Sequence, residues 1–274
     1  MDQLEQRCHE VGIALRVSPD RWDVVLDAPS RRNSQTPSTW RVLAAVGEQV
    51  QRLSSQDQGP RVVVLSATGP SFSAGLDRAM FTGQVLGEPG LPQLAALPDA
   101  EVDRTIAEFQ RAFTWWRDSD ALTVAAVQGH AIGAGFQLAL GCDLRVVTHD
   151  VSFAMKETTL GLVPDLGGTG PLVQSLGYAR ALEVCLSGRS VGAPEAVATG
   201  LAVRAVPNGD LSAAVDELVA AVLTGPRAAV TATKHLLAGA RDRTAGAQLA
   251  AERLAQAGRL AHLAGGTKGA RNGL

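Results

Sequence analysis

Cysteine is scarce in this chain, which holds only Cys8, Cys142 and Cys185. The count is odd, the spacings are wide and there is no CxxC pair. That excludes a disulfide framework or a zinc ribbon and fits a reducing cytoplasm. An excess of charge of one sign is lacking too: Lys plus Arg number 25 against 27 Asp plus Glu, a net charge of −2. No strong field therefore recruits nucleic acid or an anionic membrane, and neither is expected as a partner. A phosphate-bearing small molecule would need locally placed cations. No apolar run approaches the ~20 residues of a membrane span. The most apolar window, 122–144, is cut by Gln128, Gly129, Gly133 and Gly135. Near the amino end, Asp2, Glu5, Arg7 and Glu10 occur without an apolar stretch, so no secretory leader is read there. What the chain does have is apolar material, 46% hydrophobic against 19% charged residues over 274 positions. That suits one large buried core with at most a small appendage and excludes general disorder.

Two β-branched runs, Ile13 to Val17 and Trp22 to Leu26, flank Ser-Pro-Asp-Arg and predict an opening hairpin. Trp40, Leu43, Val46, Val50 and Leu53 keep helical spacing behind Pro37, Ser38 and Thr39, with Ser or Thr available as the N-cap. Val62 to Leu65 is short and uniformly apolar, the pattern of a buried parallel strand. The Gly- and Pro-bearing stretch from Phe81 to Pro98 reads as a surface insertion or a flexible loop beside a substrate. Val102, Ile106, Phe109, Phe113 and Trp116 predict an amphipathic helix. There follow a strand over Thr123 to Val127, a helix from Gly135 to about Cys142, and strands over Leu144 to Thr148 and Val151 to Ala154. Beyond Pro164 the patterns are helical, and the tail 265–274 reads as frayed. The fold class is α/β with a helical carboxyl end.

Chemistry is expected in three segments. Gly69 to Asp77 follows a buried strand, at the sheet end where open α/β folds bind ligands, and Gly75 permits a turn that leaves the Leu76 amide free. Val127 to Gln137 again runs from a strand through glycines into a helix, whose N-terminus offers unpaired amides to an oxyanion or phosphate. Its glycines are wrongly spaced for a dinucleotide turn. In the third, Phe153 to Thr169, Glu157 and Asp165 stand eight residues apart across a Gly and Pro bend, able to serve as base and acid in one pocket. Taken alone, Glu157 reads first as a salt-bridge partner and Asp165 as a helix cap.

In this order and spacing the segments resemble the enoyl-CoA hydratase/isomerase, or crotonase, family. The resemblance rests on Phe72-Ser-Ala-Gly-Leu-Asp77, Gln128-Gly-His-Ala-Ile-Gly-Ala-Gly135, Glu157 through Gly167-Gly-Thr169, and Pro29-Ser-Arg-Arg-Asn-Ser34, and covers roughly 11–240. It implies an α/β crotonase-type spiral of ββα units over 1–205 with a C-terminal helical region over 206–274. Leu76 and Ala134 are then the amide donors to a thioester oxyanion. Arg32, Ala74, Gly75, Asp77, Gly133 and Gln137 line the substrate, and Arg31 or Arg32 meets a coenzyme A phosphate. Hydratases of the family resemble one another in two glutamates. Here the first aligns with Gln137, which cannot exchange a proton near neutral pH, and the second with Glu157. Asp165 matches an acid of dienoyl-CoA isomerases. The implied activity is enoyl-CoA hydration or isomerisation through a thioester enolate, without a cofactor beyond the coenzyme A of the substrate. The implied assembly is a homotrimer or homohexamer, which Leu249, Leu254, Leu260 and Leu263 would serve unless they pack within one subunit. The alternatives are a non-catalytic acyl-CoA binder, raised by Gln137, and a CoA-thioester hydrolase on the same fold. An aryl-dehalogenating version gains little from 4% aromatic residues.

Overall fold

The computed structural model describes residues 1–84 and 87–271, with side chains as far as 263. The chain divides into two compact units, Met1–Leu218 and Val219–Leu274. The first opens with α1 (Asp2–Glu10), absent from the sequence reading because Cys8 is its one buried residue and no apolar stripe marks it. β1 (Ile13–Val17) and β2 (Arg21–Leu26) form the expected hairpin, Ile13 opposite Leu26 and Val17 opposite Trp22. α2 (Pro37–Ser54) begins earlier than expected. Its cap is Thr36, in a reciprocal box with Thr39, and Pro37 fills the first helical position, where no amide is needed.

β3 (Val62–Ala67) pairs in parallel with β2. The stretch expected as a loop instead holds α3 (Ala79–Thr82) and α4 (Leu91–Ala95). Glu88 anchors it, its carboxylate accepting the Ser38 amide in the first turn of α2 at 2.8 Å, where a helix N-terminus favours an anion. α5 (Asp99–Asp118) leads to β4 (Leu122–Val127), β5 (His130–Ile132), α6 (Ala134–Gly141), β6 (Leu144–Thr148) and β7 (Ser152–Ala154). A 3₁₀ turn over Glu157–Leu160 precedes α7 (Thr169–Leu176), α8 (Tyr178–Ser187), β8 (Ser190–Gly192), α9 (Ala193–Ala198), β9 (Arg204–Val206) and α10 (Leu211–Leu223).

The larger sheet runs β1-β2-β3-β4-β6-β9, parallel after the hairpin. Trp22, Val24, Val63 and Leu65 of this sheet share one core with Trp40 and Leu43 of α2 and with Phe109 and Phe113 of α5. Each such side chain contributes roughly 1.5–3 kcal/mol by leaving water, which fixes the strands whose ends carry the site. The second sheet, β5-β7-β8, is small, and the sequence reading missed β5, β8 and β9: strands of three residues are too short to show a period.

The chain enters the second layer after β3, β4 and β6. After β3, Ser73 bridges Ala131 in parallel; after β4, Ala131 of β5 pairs with Phe153; after β6 comes β7 itself. Three short segments thus lie side by side, each following a strand of the first sheet, as a spiral of ββα units requires. At Gly129 the chain leaves β4 at φ +55°, and a methyl there would fall 2.1 Å from the Pro70 carbonyl oxygen. Buried Arg145 holds the far end of α6, donating to the Ala139 and Cys142 carbonyls, and burial pulls its guanidinium down to about 10.

In the second unit, α11 (Arg227–Ala238) packs against α12 (Ala245–Arg271). Gln248 and Arg243 both donate to the Leu236 carbonyl. α12 is helical as far as Arg271, where the tail was expected to fray; 272–274 lie outside the described residues. Leu249, Leu254, Leu260 and Leu263 are exposed.

Candidate active site

The side-by-side segments determine what meets at their ends. Leu76 lies three residues beyond Ser73, and Ala134 three beyond Ala131. Gly75, at φ +84°, brings the two turns into contact: a methyl on it would fall 2.4 Å from the Ile132 carbonyl oxygen and 3.4 Å from Ala134 N. Leu76 bridges Gln35, but the bonds of that bridge run from Gln35 N to the Gly75 carbonyl and from Asp77 N to the Gln35 carbonyl, both 2.8 Å. The Leu76 amide therefore points the other way. Ala134 is the first residue of α6, where no intrahelical acceptor exists. Neither amide has a hydrogen-bond partner among the described residues.

Polar side chains to which the sequence reading gave no role of their own hold the first turn. Asn33 is buried; its amide donates to the Thr68 and Ser71 carbonyls, each at 3.0 Å, and its carbonyl accepts Ala28 N at 2.8 Å. Gln35 donates to Ser73 Oγ at 2.9 Å and accepts Trp40 Nε1 at 2.8 Å. Ser73 Oγ donates to the Asn33 carbonyl and accepts the Gly75 amide. Their partners lie up to 40 residues away, so no local pattern announces them.

The resemblance grouped Arg32, Ala74 and Asp77, and the structure gives them separate tasks. The Ala74 amide donates to the Arg32 carbonyl at 2.9 Å. Asp77 accepts Ser34 Oγ at 2.6 Å and the Ala79 amide at 3.0 Å, and the Ser34 bond foremost holds its carboxyl below the usual range. Arg31 is engaged with the Val11 carbonyl and lies 4.0 Å from Asp77. Arg32 is exposed, and its guanidinium has no partner among the described residues.

Glu157 opens the 3₁₀ turn after β7. Its Oε1 accepts Gln137 Nε2 at 2.7 Å and would lie 3.4 Å from a methyl placed on Gly133, the residue before Ala134. Its Oε2 is buried with no hydrogen-bond partner. Burial pushes this carboxyl up, with a smaller push from the charge of Asp165, and its own backbone amide first and the Gln137 bond second oppose the rise. Burial raises Asp165 as well. Glu157 makes no ion pair among the described residues, and α7 starts at Thr169 without a side-chain cap, so the salt-bridge and helix-cap readings are not realised. The Asp165 turn is held from two sides. Gln110 of α5 donates to the Asp165 carbonyl at 2.7 Å, and Gln137 Oε1 accepts the amides of Leu166 and Gly168 at 3.0 and 3.2 Å. Cys185 is also close: Thr158 donates to its carbonyl, and burial first and Glu157 second raise its thiol.

Two unpaired amides beside a raised, half-satisfied carboxyl can hold a developing oxyanion while a proton moves at the adjacent carbon. The family described as enoyl-CoA hydratase/isomerase matches residues 23–264. The chain belongs to that family. Its solved relatives include a candidate enoyl-CoA hydratase from Thermobifida fusca YX, 43% identical, with a TM-score of 0.88 over 96% of this chain and 97% of that one. The same protein in complex with acetoacetyl-CoA superposes with a TM-score of 0.88 over 94% and 98% of the two chains, again at 43% identity. The mitochondrial Δ(3,5)-Δ(2,4)-dienoyl-CoA isomerase of Rattus norvegicus is 30% identical over 80% of this chain, which spans 66% of that relative's length.

Proposed function

We propose that this protein is an enzyme that processes an enoyl-CoA thioester through an enolate. The amides of Leu76 and Ala134 receive the thioester oxygen, which takes up charge as the enolate forms. Such preorganised donors are worth ~2.7–4 kcal/mol each. Glu157 carries the proton through Oε2, and Asp165 serves as its partner. The observation that carries this reading is the register Ser73–Ala131–Phe153, which gathers both free amides and the Glu157 carboxyl at one place. An orphaned carboxylate oxygen with an upward-shifted pKa favours a working enzyme over a passive acyl-CoA binder.

Arg32, the unpaired cation beside the Ala74 turn, would meet a coenzyme A phosphate, and Gly75, Gly133 and Gln137 would shape the acyl end. No cofactor beyond the coenzyme A of the substrate is required by a proton transfer. We place the enzyme in the cytoplasm, in fatty-acid metabolism. Self-association into a trimer or hexamer is supported by large apolar side chains left exposed on the first unit, among them Leu160, Val163, Tyr178 and Leu186; sedimentation velocity tests it. Calorimetric titration tests the substrate class. Acetoacetyl-CoA and crotonyl-CoA should bind where the free acids do not, and a series of acyl-CoAs that all fail to bind would contradict the reading.

A further inference from the structure

Gly75 is the weak point of the first donor turn. At φ +84° and without a side chain, it lets the peptide planes on either side of it turn with little resistance. The second of those planes carries the Leu76 amide. In a trans peptide the Gly75 carbonyl and the Leu76 N–H point in opposite directions, so whatever holds that carbonyl also aims the donor.

One residue reaches both planes. Gln35 N donates to the Gly75 carbonyl and the Gln35 carbonyl accepts Asp77 N, both at 2.8 Å, which fixes the plane that contains the Leu76 N–H. The Gln35 side chain reaches the other plane through Ser73. Its Nε2 donates to Ser73 Oγ at 2.9 Å, and the same oxygen accepts the Gly75 amide at 3.1 Å. Polarity leaves this relay a single arrangement. Trp40 Nε1 can only donate, so the Gln35 oxygen must face it, at 2.8 Å, and the NH₂ must face Ser73. The Ser73 proton goes to the Asn33 carbonyl at 2.7 Å, which leaves both lone pairs of Oγ for the two N–H groups. Gln35 and Ser73 are fully buried. The relay is rooted in the core, where Trp40 packs against Phe109 and Phe113 of α5 with ring centroids 4.9 and 5.7 Å away. Ser73 bears on the second turn as well, since a methyl on Gly135, the residue after Ala134, would fall 2.7 Å from its Cβ.

Resting on the reading that the Leu76 amide receives the thioester oxygen, we infer that Gln35 is a positioning residue. Through its backbone and through Ser73 it locks both peptide planes at Gly75 and so aims the donor. Leucine at 35 would fill the same space but leave Ser73 Oγ held by Asn33 alone. Alanine at 73 would release the Gly75 amide outright.

The test is the infrared band of the thioester carbonyl in bound butanoyl-CoA, carrying ¹³C at C1 to separate it from protein bands, read beside kcat and KM for enoyl-CoA. In the wild type, the two donors should draw the band to lower wavenumber than in free butanoyl-CoA. In Gln35→Leu and Ser73→Ala most of that displacement should vanish. Their kcat should fall ~10-fold and ~10²-fold, with KM nearly unchanged. Thr123→Val controls for lost stability. It removes a buried hydroxyl that donates to the Trp116 carbonyl at 3.1 Å, at the start of β4 and away from the site, and should melt earlier yet keep band and kcat. Folded variants with the wild-type band and kcat would overturn the inference, as would a band equally altered in Thr123→Val. Should neither variant fold, amide exchange in the wild type decides. Gly75 and Asp77 should be protected while Leu76 exchanges until butanoyl-CoA binds, and a Gly75 amide exchanging as fast as Leu76 would overturn the inference. A wild type that binds butanoyl-CoA without displacing its carbonyl band, or fails to bind it, would instead strike at the thioester reading beneath.

Discussion

Gly75 and Ile132 are in contact through backbone alone, so close that a methyl on Gly75 would lie 2.4 Å from the Ile132 carbonyl oxygen. That contact sets the spacing of the Leu76 and Ala134 amides. Gly75→Ala must both occupy φ +84° and push the turns apart. The strain should cost about 1–3 kcal/mol, read as a lower midpoint in urea. Turnover of enoyl-CoA should fall about 10²-fold or more, since a displacement of order 1 Å in the donors is enough to do so. Wild-type turnover in the alanine variant would show that donor spacing is not what the contact secures.

Glu157 and Asp165 are both raised by burial, so their ionised forms oppose folding. For a carboxyl with a folded pKa above its unfolded one, the stabilising contribution is fully present below the unfolded pKa. It is lost as pH rises through the folded value. Glu157→Gln and Asp165→Asn should therefore match the wild type in melting temperature near pH 4 and equal or exceed it near pH 8. Turnover should meanwhile drop ~10²–10⁴-fold. Melting curves across that range decide it; a variant less stable at pH 8 than at pH 4 relative to wild type would mean the carboxylate is held by contacts that favour its charge.

Arg31 and Arg32 are neighbours in sequence, but only the Arg31 guanidinium is engaged among the described residues, so their replacement should separate. Arg32→Ala should leave the fold intact and raise KM for acyl-CoA several-fold, in keeping with ~0.2–1 kcal/mol for an exposed ion pair. It should have no effect on the matching acyl-pantetheine, which lacks the nucleotide phosphates. Arg31→Ala, which loses the Val11 carbonyl and the approach to Asp77, should show chiefly as lost thermal stability. Equal KM changes with both substrates in Arg32→Ala would remove the phosphate contact.

How far the sequence reached follows from where each signal lies. β3, β4, α2 and α5 are long enough for their apolar runs and spacings to be unambiguous, and Gly75 and Gly133 mark their turns through the conformations only glycine takes freely. Glu157 could be placed beside Ala134 only through the resemblance, because the register joining β5 to β7 sits in strands of three residues. Asn33 and Ser73 stood inside the matching motifs and Gln35 just outside them, but their task stayed illegible: each is a buried polar residue with partners distant in sequence. Thr36 was passed over as the cap because Ser38 and Thr39 stand closer to the apolar pattern. Gln137 was read for the proton it cannot exchange, while the bonds it makes to Glu157, Leu166 and Gly168 emerge only once the turn at Asp165 is folded.

The most direct measurement is hydrogen exchange at C2 of a bound 3-enoyl-CoA in deuterium oxide, followed by mass spectrometry for the wild type and for Glu157→Gln. If Leu76 and Ala134 hold an enolate and Glu157 Oε2 moves the proton, label enters recovered thioester with the wild type. In Glu157→Gln the rate falls at least ~100-fold while acetoacetyl-CoA still binds. Exchange at the wild-type rate in Glu157→Gln, or none in a wild type that binds the thioester, would contradict the account.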